Sequence, residues 1–349
     1  MDFVILAIAF GVILAGAELF TNGIEWFGHK LELAEGAVGS VLAAVGTALP
    51  ETMIPLIAIL LGGGEAAGHI GVGAILGAPF MLSTLAMFVT GVAVLMAARR
   101  RDGGDVMPVQ TQVLAHDVRV FGIAYAIALA AALLPADLEW PRWLVAALLL
   151  VIYGSYVRDH FKAEATNTDP AQLNPLRFQR LDRAVVHPEP PRLRIVTFQV
   201  LFAVALIILG AYAFVGAVED LAHQIGADEA LLALIIAPIA TELPEKFNSV
   251  IWVRQGKDTL AMGNITGAMV FQSTIPTVVA LVFASRLWAI NEGTVLAFGS
   301  ALIAFASSAL IFVPMALTGR LRGRSLLVGG AFYVVYLGLV GLRLSGGQA

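Results

Sequence analysis

No cysteine occurs among the 349 residues, which excludes disulfides, thiolate metal sites and cysteine nucleophiles. Charge is scarce as well. Asp, Glu, Lys and Arg make up 13% of the chain, against roughly 25% in soluble domains. Histidine is limited to six residues, none in an HxxxH or HExxH pair, so the sequence carries no zinc-hydrolase signature. Strand-length stretches of alternating polarity are missing, and with them the mark of a transmembrane barrel. Residues 1–28 have neither a basic leader nor a small-residue cleavage site, which predicts a retained span rather than a signal peptide. No feature of the charge pattern calls for a nucleic-acid partner.

What the chain has instead is apolar length: 59% of its residues are hydrophobic. About 20 apolar residues cross the hydrocarbon core as a helix. Ten segments meet that rule, at about 3–28, 34–61, 69–97, 118–135, 141–157, 195–218, 229–253, 258–285, 293–317 and 325–343. The expected fold is an all-α integral membrane protein with ten transmembrane helices in a lipid bilayer. The longest polar stretch, 158–194, contains Pro170, Pro175, Pro188, Pro190 and Pro191, with five arginines between 177 and 194. It reads as a linker between a first half, 1–157, and a second, 195–349. With the N-terminus outside, the inward loops carry seventeen of the 21 Lys and Arg. The positive-inside rule then predicts a multi-pass protein of the cell (plasma or inner) membrane, with both termini outside and the linker cytoplasmic.

One short string occurs twice: Gly46-Thr47-Ala48-Leu49-Pro50-Glu51 and Ala240-Thr241-Glu242-Leu243-Pro244-Glu245. Each copy lies within an apolar segment. Proline removes a helical N–H and clashes with the preceding turn. A glutamate at that depth costs about 2.5–3.5 kcal/mol to insert. Neither suits a passive anchor, and intramembrane carboxylates are functional by default. The copies are 194 residues apart, as are Gly16-Ala17 and Gly210-Ala211. Gly73 and Gly77 correspond to Gly263 and Gly267 at an offset of 190, the difference falling in the Gly62-Gly63-Gly64 loop. Five spans per half is an odd number, so the second half enters from the opposite side. This predicts two inverted five-helix repeats with Pro-broken helices 2 and 7.

The breaks at Pro50 and Pro244 free backbone carbonyls, which at membrane depth must be buried in protein, line a cavity or hold an ion. The carbonyls of Thr47 and Thr241 are candidate ligands, and Glu51 and Glu245 add hard anionic oxygens. Such a set suits Ca²⁺, which takes about 6–8 oxygens in flexible geometry. The GxxxG pairs read first as close helix packing.

With these residues in view, the chain resembles the calcium/cation antiporter superfamily, specifically prokaryotic sodium/calcium exchangers. The likeness spans the whole chain, with the family's α-repeats at about 34–97 and 229–285. Its G-T-S-x-P-E pattern matches Gly46–Glu51 well and Ala240–Glu245 less well. The resemblance implies Glu51 and Glu245 as central Ca²⁺ carboxylates, with Thr47 and Thr241 offering carbonyls. It departs in the G-N-x-x-G-S-N-x-x-N/D stretch, where Ala78, Ala268, Leu82 and Gln272 stand at oxygen-bearing positions. The family's flanking Na⁺ ligands are therefore missing, while Glu242 adds a third acid beside Glu245. Gln272 and Asn264 are further candidate metal ligands, since an amide can coordinate a cation or bond between helices.

The implied activity is secondary antiport of Ca²⁺ against Na⁺ or H⁺ by alternating access, without catalysis and without a cofactor. The alternatives are a non-transporting sensor or scaffold of the same fold, and an antiporter for Mg²⁺ or Mn²⁺. Three smaller expectations accompany this. Trp140, Trp143 and Trp288 form an aromatic belt. Ser83 and Ser273 bond a preceding-turn carbonyl or a neighbouring helix. Glu18 is a weaker candidate for an ion path, because its repeat mate is Tyr212.

Overall fold

Long runs of Leu, Ile, Val and Ala favour helices in lipid, because each backbone group is then satisfied within its own segment. The computed structural model describes residues 2–48, 52, 55–56, 59–60, 65–101, 103–135, 138–162, 173–181, 190–225, 243–291 and 294–346. These are almost wholly helical: α1 (Asp2–Lys30), α2 (Glu35–Ala37), a π-helical segment π1 (Val38–Ala43), α3 (Ala44–Thr47), α4 (Glu65–Met81), a second π segment π2 (Leu82–Ala86), α5 (Met87–Ala97), α6 (Thr111–Ala130) and α7 (Trp140–Lys162). The order continues with α8 (Leu193–Ile225), α9 (Leu243–Arg254), α10 (Asp258–Phe283), α11 (Val295–Thr318), α12 (Gly323–Leu326) and α13 (Val328–Gly346). One small ribbon pairs β1 (Val106–Met107) antiparallel with β2 (Leu321–Arg322).

Among the described residues, 8 helices are long and apolar enough to cross a membrane. They coincide with all the predicted segments except the second and seventh, which fall partly outside the described residues. What is described of those two is the helix Val38–Thr47 and α9.

The bundle is organised on α10. Every residue from Asp258 to Thr274 is buried, as expected for a helix with protein on all sides. Its glycines make the central crossing possible. A Cβ at Gly267 would fall 2.0 Å from the Ser40 carbonyl oxygen, and one at Gly263 would fall 2.9 Å from Ser40 Oγ. So the second GxxxG pair does pack, against π1. A second close pair joins α1 to α8. A Cβ at Gly16 would meet Ile207 Cγ1 at 2.9 Å, and one at Gly210 would meet Ile13 Cγ1 at 2.8 Å.

The irregular helices have local causes. Pro79 lies inside α4 just before π2, and the Leu76 carbonyl in the disturbed turn accepts a bond from Tyr125 OH at 2.8 Å. Ser83 and Thr84 both donate to the Phe80 carbonyl, at 3.0 and 2.7 Å, competing with the backbone ladder where it widens into π2. Ser273 donates to Val270 O at 3.0 Å, so both serines bond the preceding turn as expected. α11 ends at Gly319 in the left-handed region (φ 65°), whose N–H bonds Met315 O at 2.8 Å.

The aromatic-belt expectation needs one correction. Trp140 is 61% exposed, but Trp288 is fully buried and its Nε1 donates to the Ala128 carbonyl at 2.8 Å. An indole that finds an internal acceptor gains more from burial than from the interface.

Candidate functional site

Of the residues predicted to bind a cation, Thr47, Asn264 and Gln272 are described together with their side chains. Glu51, Thr241 and Glu242 lie outside the described residues. Glu245 sits in the first turn of α9, and only its helix is described. Thr47 ends α3, and its hydroxyl is 3.1 Å from Asn264 Oδ1 on α10 and 3.0 Å from the Ala43 carbonyl. One residue further, Ala48 leaves helical geometry (ψ 3°). The Ala48 carbonyl accepts bonds from Thr52 Oγ1 at 2.8 Å and from Gln272 Nε2 at 3.4 Å. Thr47, Asn264 and Gln272 are all buried. The structure thus fastens the end of α3 to α10 at two levels, on either side of Gly267. The pair Gly73 and Gly77 has no described atom within 4 Å of a hypothetical Cβ, unlike Gly263 and Gly267.

Where the family pattern has oxygen-bearing side chains, Ala78, Leu82 and Ala268 are all buried. No side-chain oxygen replaces theirs at those three positions. Lys246, next to Glu245, is buried. Glu18 is not an inward-facing acid. It is more than half exposed and pairs with Arg177 of the 173–181 segment at 2.6 Å. That segment is held to α1, with Trp26 Nε1 donating to Asn174 O at 2.8 Å and the Arg177 N–H donating to Asn22 Oδ1 at 3.0 Å.

Sequence reasoning missed a second polar cluster. Asp117 on α6 is fully buried. Its Oδ2 accepts bonds from Ser40 Oγ (π1, 2.7 Å) and Thr266 Oγ1 (α10, 2.6 Å). Its Oδ1 accepts a bond from Tyr156 OH at 3.1 Å and lies 3.1 Å from His160 Nε2, both on α7. The available signal was weak: the hydropathy run of the fourth segment begins at 118, one residue too late, whereas the helix begins at Thr111. Charged residues elsewhere pair across segment ends. Glu25 of α1 accepts from Trp252 Nε1 at 2.8 Å and pairs with Lys257, while Asp258 pairs with Arg101. Asp105 lies 3.9 Å from Arg322 and 3.4 Å from Arg324. On the other predicted side, Arg286 reaches Glu139 at 3.1 Å.

Long apolar helices, continued in places through π segments, with polar side chains meeting inside, define a multi-pass helical membrane protein of the transporter class. The comparisons agree. The family described as sodium/calcium exchanger protein matches residues 1–158 and 195–344, and the chain belongs to that family. It is a family of secondary transporters, not enzymes. A putative antiporter, CaxA, from Alkalimonas amylolytica is 33% identical over 75 residues; the match spans 22% of this chain and 24% of that relative. A solved structure of the sodium-calcium exchanger NCX_Mj superposes with a TM-score of 0.69 at 14% identity, covering 97% of each chain. Another structure of NCX_Mj gives 0.70 at 16% identity, again over 97% of each chain. At that identity the likeness is one of fold.

Proposed function

We propose that this protein is a secondary active antiporter that moves Ca²⁺ against Na⁺ or H⁺ by alternating access at a carboxylate site near the membrane midplane. The observation that carries the reading is the junction of Thr47 with Asn264. Residues 217 positions apart, one from each predicted half, meet in a buried contact of 3.1 Å beside the Pro50-Glu51 step. In this reading Glu51 and Glu245 supply the carboxylates, and Thr47 and Thr241 supply carbonyls. Gln272, Asn264 and Glu242 complete the oxygen set that a hard divalent cation needs.

An inverted pair of five-helix halves, 1–157 and 195–349, is supported by the reciprocal glycine contacts. Ile13 with Gly210, and Gly16 with Ile207, are the same contact displaced by 194 residues in each partner. Same-side placement of the predicted inward ends is supported by the ion pairs Glu25–Lys257 and Arg101–Asp258, and of the outward ends by Arg286–Glu139; the positive-inside rule then makes the linker at 158–194 cytoplasmic. Buried Ala78, Leu82 and Ala268 favour H⁺ over Na⁺ as the counter-ion, because the Na⁺ ligands of the family pattern have no substitute there.

Radiolabelled Ca²⁺ uptake into proteoliposomes, driven by an imposed Na⁺ or pH gradient, tests the reading. Glu51→Gln and Glu245→Gln are each expected to abolish uptake. Wild-type rates in both variants overturn the site. Uptake driven by Na⁺ and indifferent to a pH gradient overturns proton coupling. Competition by Mg²⁺ or Mn²⁺ identifies another cargo.

A further inference from the structure

The Asp117 cluster has an unusual donor count. His160 Nδ1 faces the Tyr156 carbonyl at 3.1 Å, and its Nε2 faces Asp117 Oδ1 at 3.1 Å. A neutral imidazole has one N–H and one bare nitrogen. Here both nitrogens face oxygens, one of them a carbonyl that can only accept. Two arrangements satisfy this geometry. Either the ring carries both protons beside an ionised Asp117, or Nδ1 carries one and a protonated Asp117 donates to Nε2. Both arrangements hold the same extra proton between Asp117 and His160. Without it, a bare nitrogen meets an acceptor oxygen, and a carboxylate with no exposed surface has no compensating charge.

We propose that Asp117 and His160 form a buried proton-binding site, distinct from the candidate cation site and joined to it through Ser40 and Thr266. The join is direct. Ser40 is the residue whose carbonyl Gly267 almost touches, and Thr266 is two positions from Asn264 on α10. An ionised Asp117 therefore draws π1 and α10 together at their crossing. The network also has a second setting. Tyr156 OH lies 3.1 Å from the Ser40 carbonyl, and Thr266 Oγ1 lies 3.0 Å from the Met262 carbonyl. Both hydroxyls can turn to those acceptors when Asp117 is neutral. The charge on Asp117 thus selects between a hydrogen-bonded clamp across the crossing and a pair of backbone acceptors, one on π1 reached from α7 and one within α10.

The other titratable groups facing the pair are few. His116 on α6 has its ring centroid 5.4 Å from that of His160, and its buried Nε2 has no hydrogen-bond partner among the described residues. Tyr153, Tyr156 and Asp159 come from α7, the two tyrosine ring centroids 6.0 Å apart and the Asp159 carboxylate next to His160 in the chain. π1 and α10 present only hydroxyls to Asp117. His160 is two residues from the end of α7 at Lys162, so the proton reaches bulk water through the end of the bundle that carries the linker, with His116 as the neighbouring carrier.

The coupling rests on the antiporter reading, whereas the proton site does not, and the experiment separates them. Nitrogen NMR of ring-labelled histidine in detergent-solubilised, cation-free protein near neutral pH reads the site directly, with the carboxylic-acid stretch in the infrared as its complement. The expected result is a His160 with both nitrogens protonated, or with one hydrogen-bonded to an infrared-visible protonated Asp117. Asp117→Asn is expected to convert His160 to a neutral ring and to remove whatever part of the carboxylic-acid band Asp117 contributes. A wild-type His160 with one bare nitrogen beside an ionised Asp117 overturns the proposal, and needs no variant to fold. In proteoliposomes the wild type is expected to lose Ca²⁺ uptake as external and internal pH are raised together, and His160→Gln to lose that dependence. An unchanged pH profile in a folded His160→Gln overturns the coupling. Absence of cation uptake by the wild type instead overturns the antiporter reading and leaves the spectroscopic result standing.

Discussion

Gly267→Ala isolates the central crossing. The added methyl carbon would lie 2.0 Å from the Ser40 oxygen, 2.5 Å from its carbonyl carbon and 2.6 Å from its Cα. All three are backbone or backbone-attached atoms, so no side chain can rotate out of the way. Ordinary contact begins near 3.4 Å, and α10 and π1 must therefore part by about 1.4 Å, the difference between the two distances. Overpacking of this kind costs about 1–3 kcal/mol. The same displacement stretches the Ser40–Asp117 bond from 2.7 Å and the Thr47–Asn264 contact from 3.1 Å beyond useful length, at about 1 kcal/mol each. The total is on the order of 3–5 kcal/mol, a drop in Tm of several degrees for a protein of this size. Thermal unfolding of the detergent-solubilised variant measures it. Gly154→Ala is the control, because Gly154 is exposed on α7 with no described atom within 4 Å of its hypothetical Cβ. It is expected to be neutral or stabilising by up to about 1 kcal/mol, the helix preference of alanine over glycine. A Gly267→Ala protein that melts with the wild type refutes the close crossing and the geometry of the site built on it.

Other substitutions test separate contacts by the same thermal assay. Arg142 is fully buried and donates to the carbonyls of Leu134, Pro135 and Leu138 at 2.8, 3.0 and 3.4 Å, closing the end of the preceding turn. Arg142→Met is expected to cost about 3 kcal/mol, and a smaller loss than that of Arg142→Ala indicates how much is packing of the stem. Glu25→Gln keeps an acceptor for Trp252 but removes the charge facing Lys257. Because Lys257 retains some solvent access, the expected loss is about 1–3 kcal/mol. Glu25→Ala, which removes the acceptor as well, should fall further. Equal melting of Glu25→Gln and wild type means that the pair contributes nothing.

The spans could be read from the sequence because crossing a bilayer imposes a length and an apolarity on each segment separately. Eight of the ten predicted segments reappear as helices of the required kind, and the remaining two are those that carry the Pro-Glu strings. The role of Gly263 and Gly267 was legible as well, since only small residues let backbones approach. Asp117 was not legible. Hydropathy averages every face of a helix, so His116, Asp117 and Arg119 made the start of α6 look like a loop, although Asp117 points inward to three other helices. Trp288 was misread for a related reason: its position near a segment end is a local fact, whereas its acceptor, the Ala128 carbonyl, is 160 residues away.

The sequence by itself determined that the chain is helical, crosses the membrane repeatedly, and carries a duplicated Thr-x-x-Pro-Glu string. It did so through constraints that act within about 20–30 residues: hydrocarbon thickness, the missing proline N–H, and the cost of a carboxylate in lipid. Only the tertiary structure decided which polar groups meet. Thr47 reaches Asn264, Gln272 reaches Ala48, and Asp117 gathers Ser40, Thr266, Tyr156 and His160 from three other elements. Such partners are chosen by helix crossing and rotation, which follow from packing glycine against backbone across hundreds of residues, and no local rule of sequence encodes them.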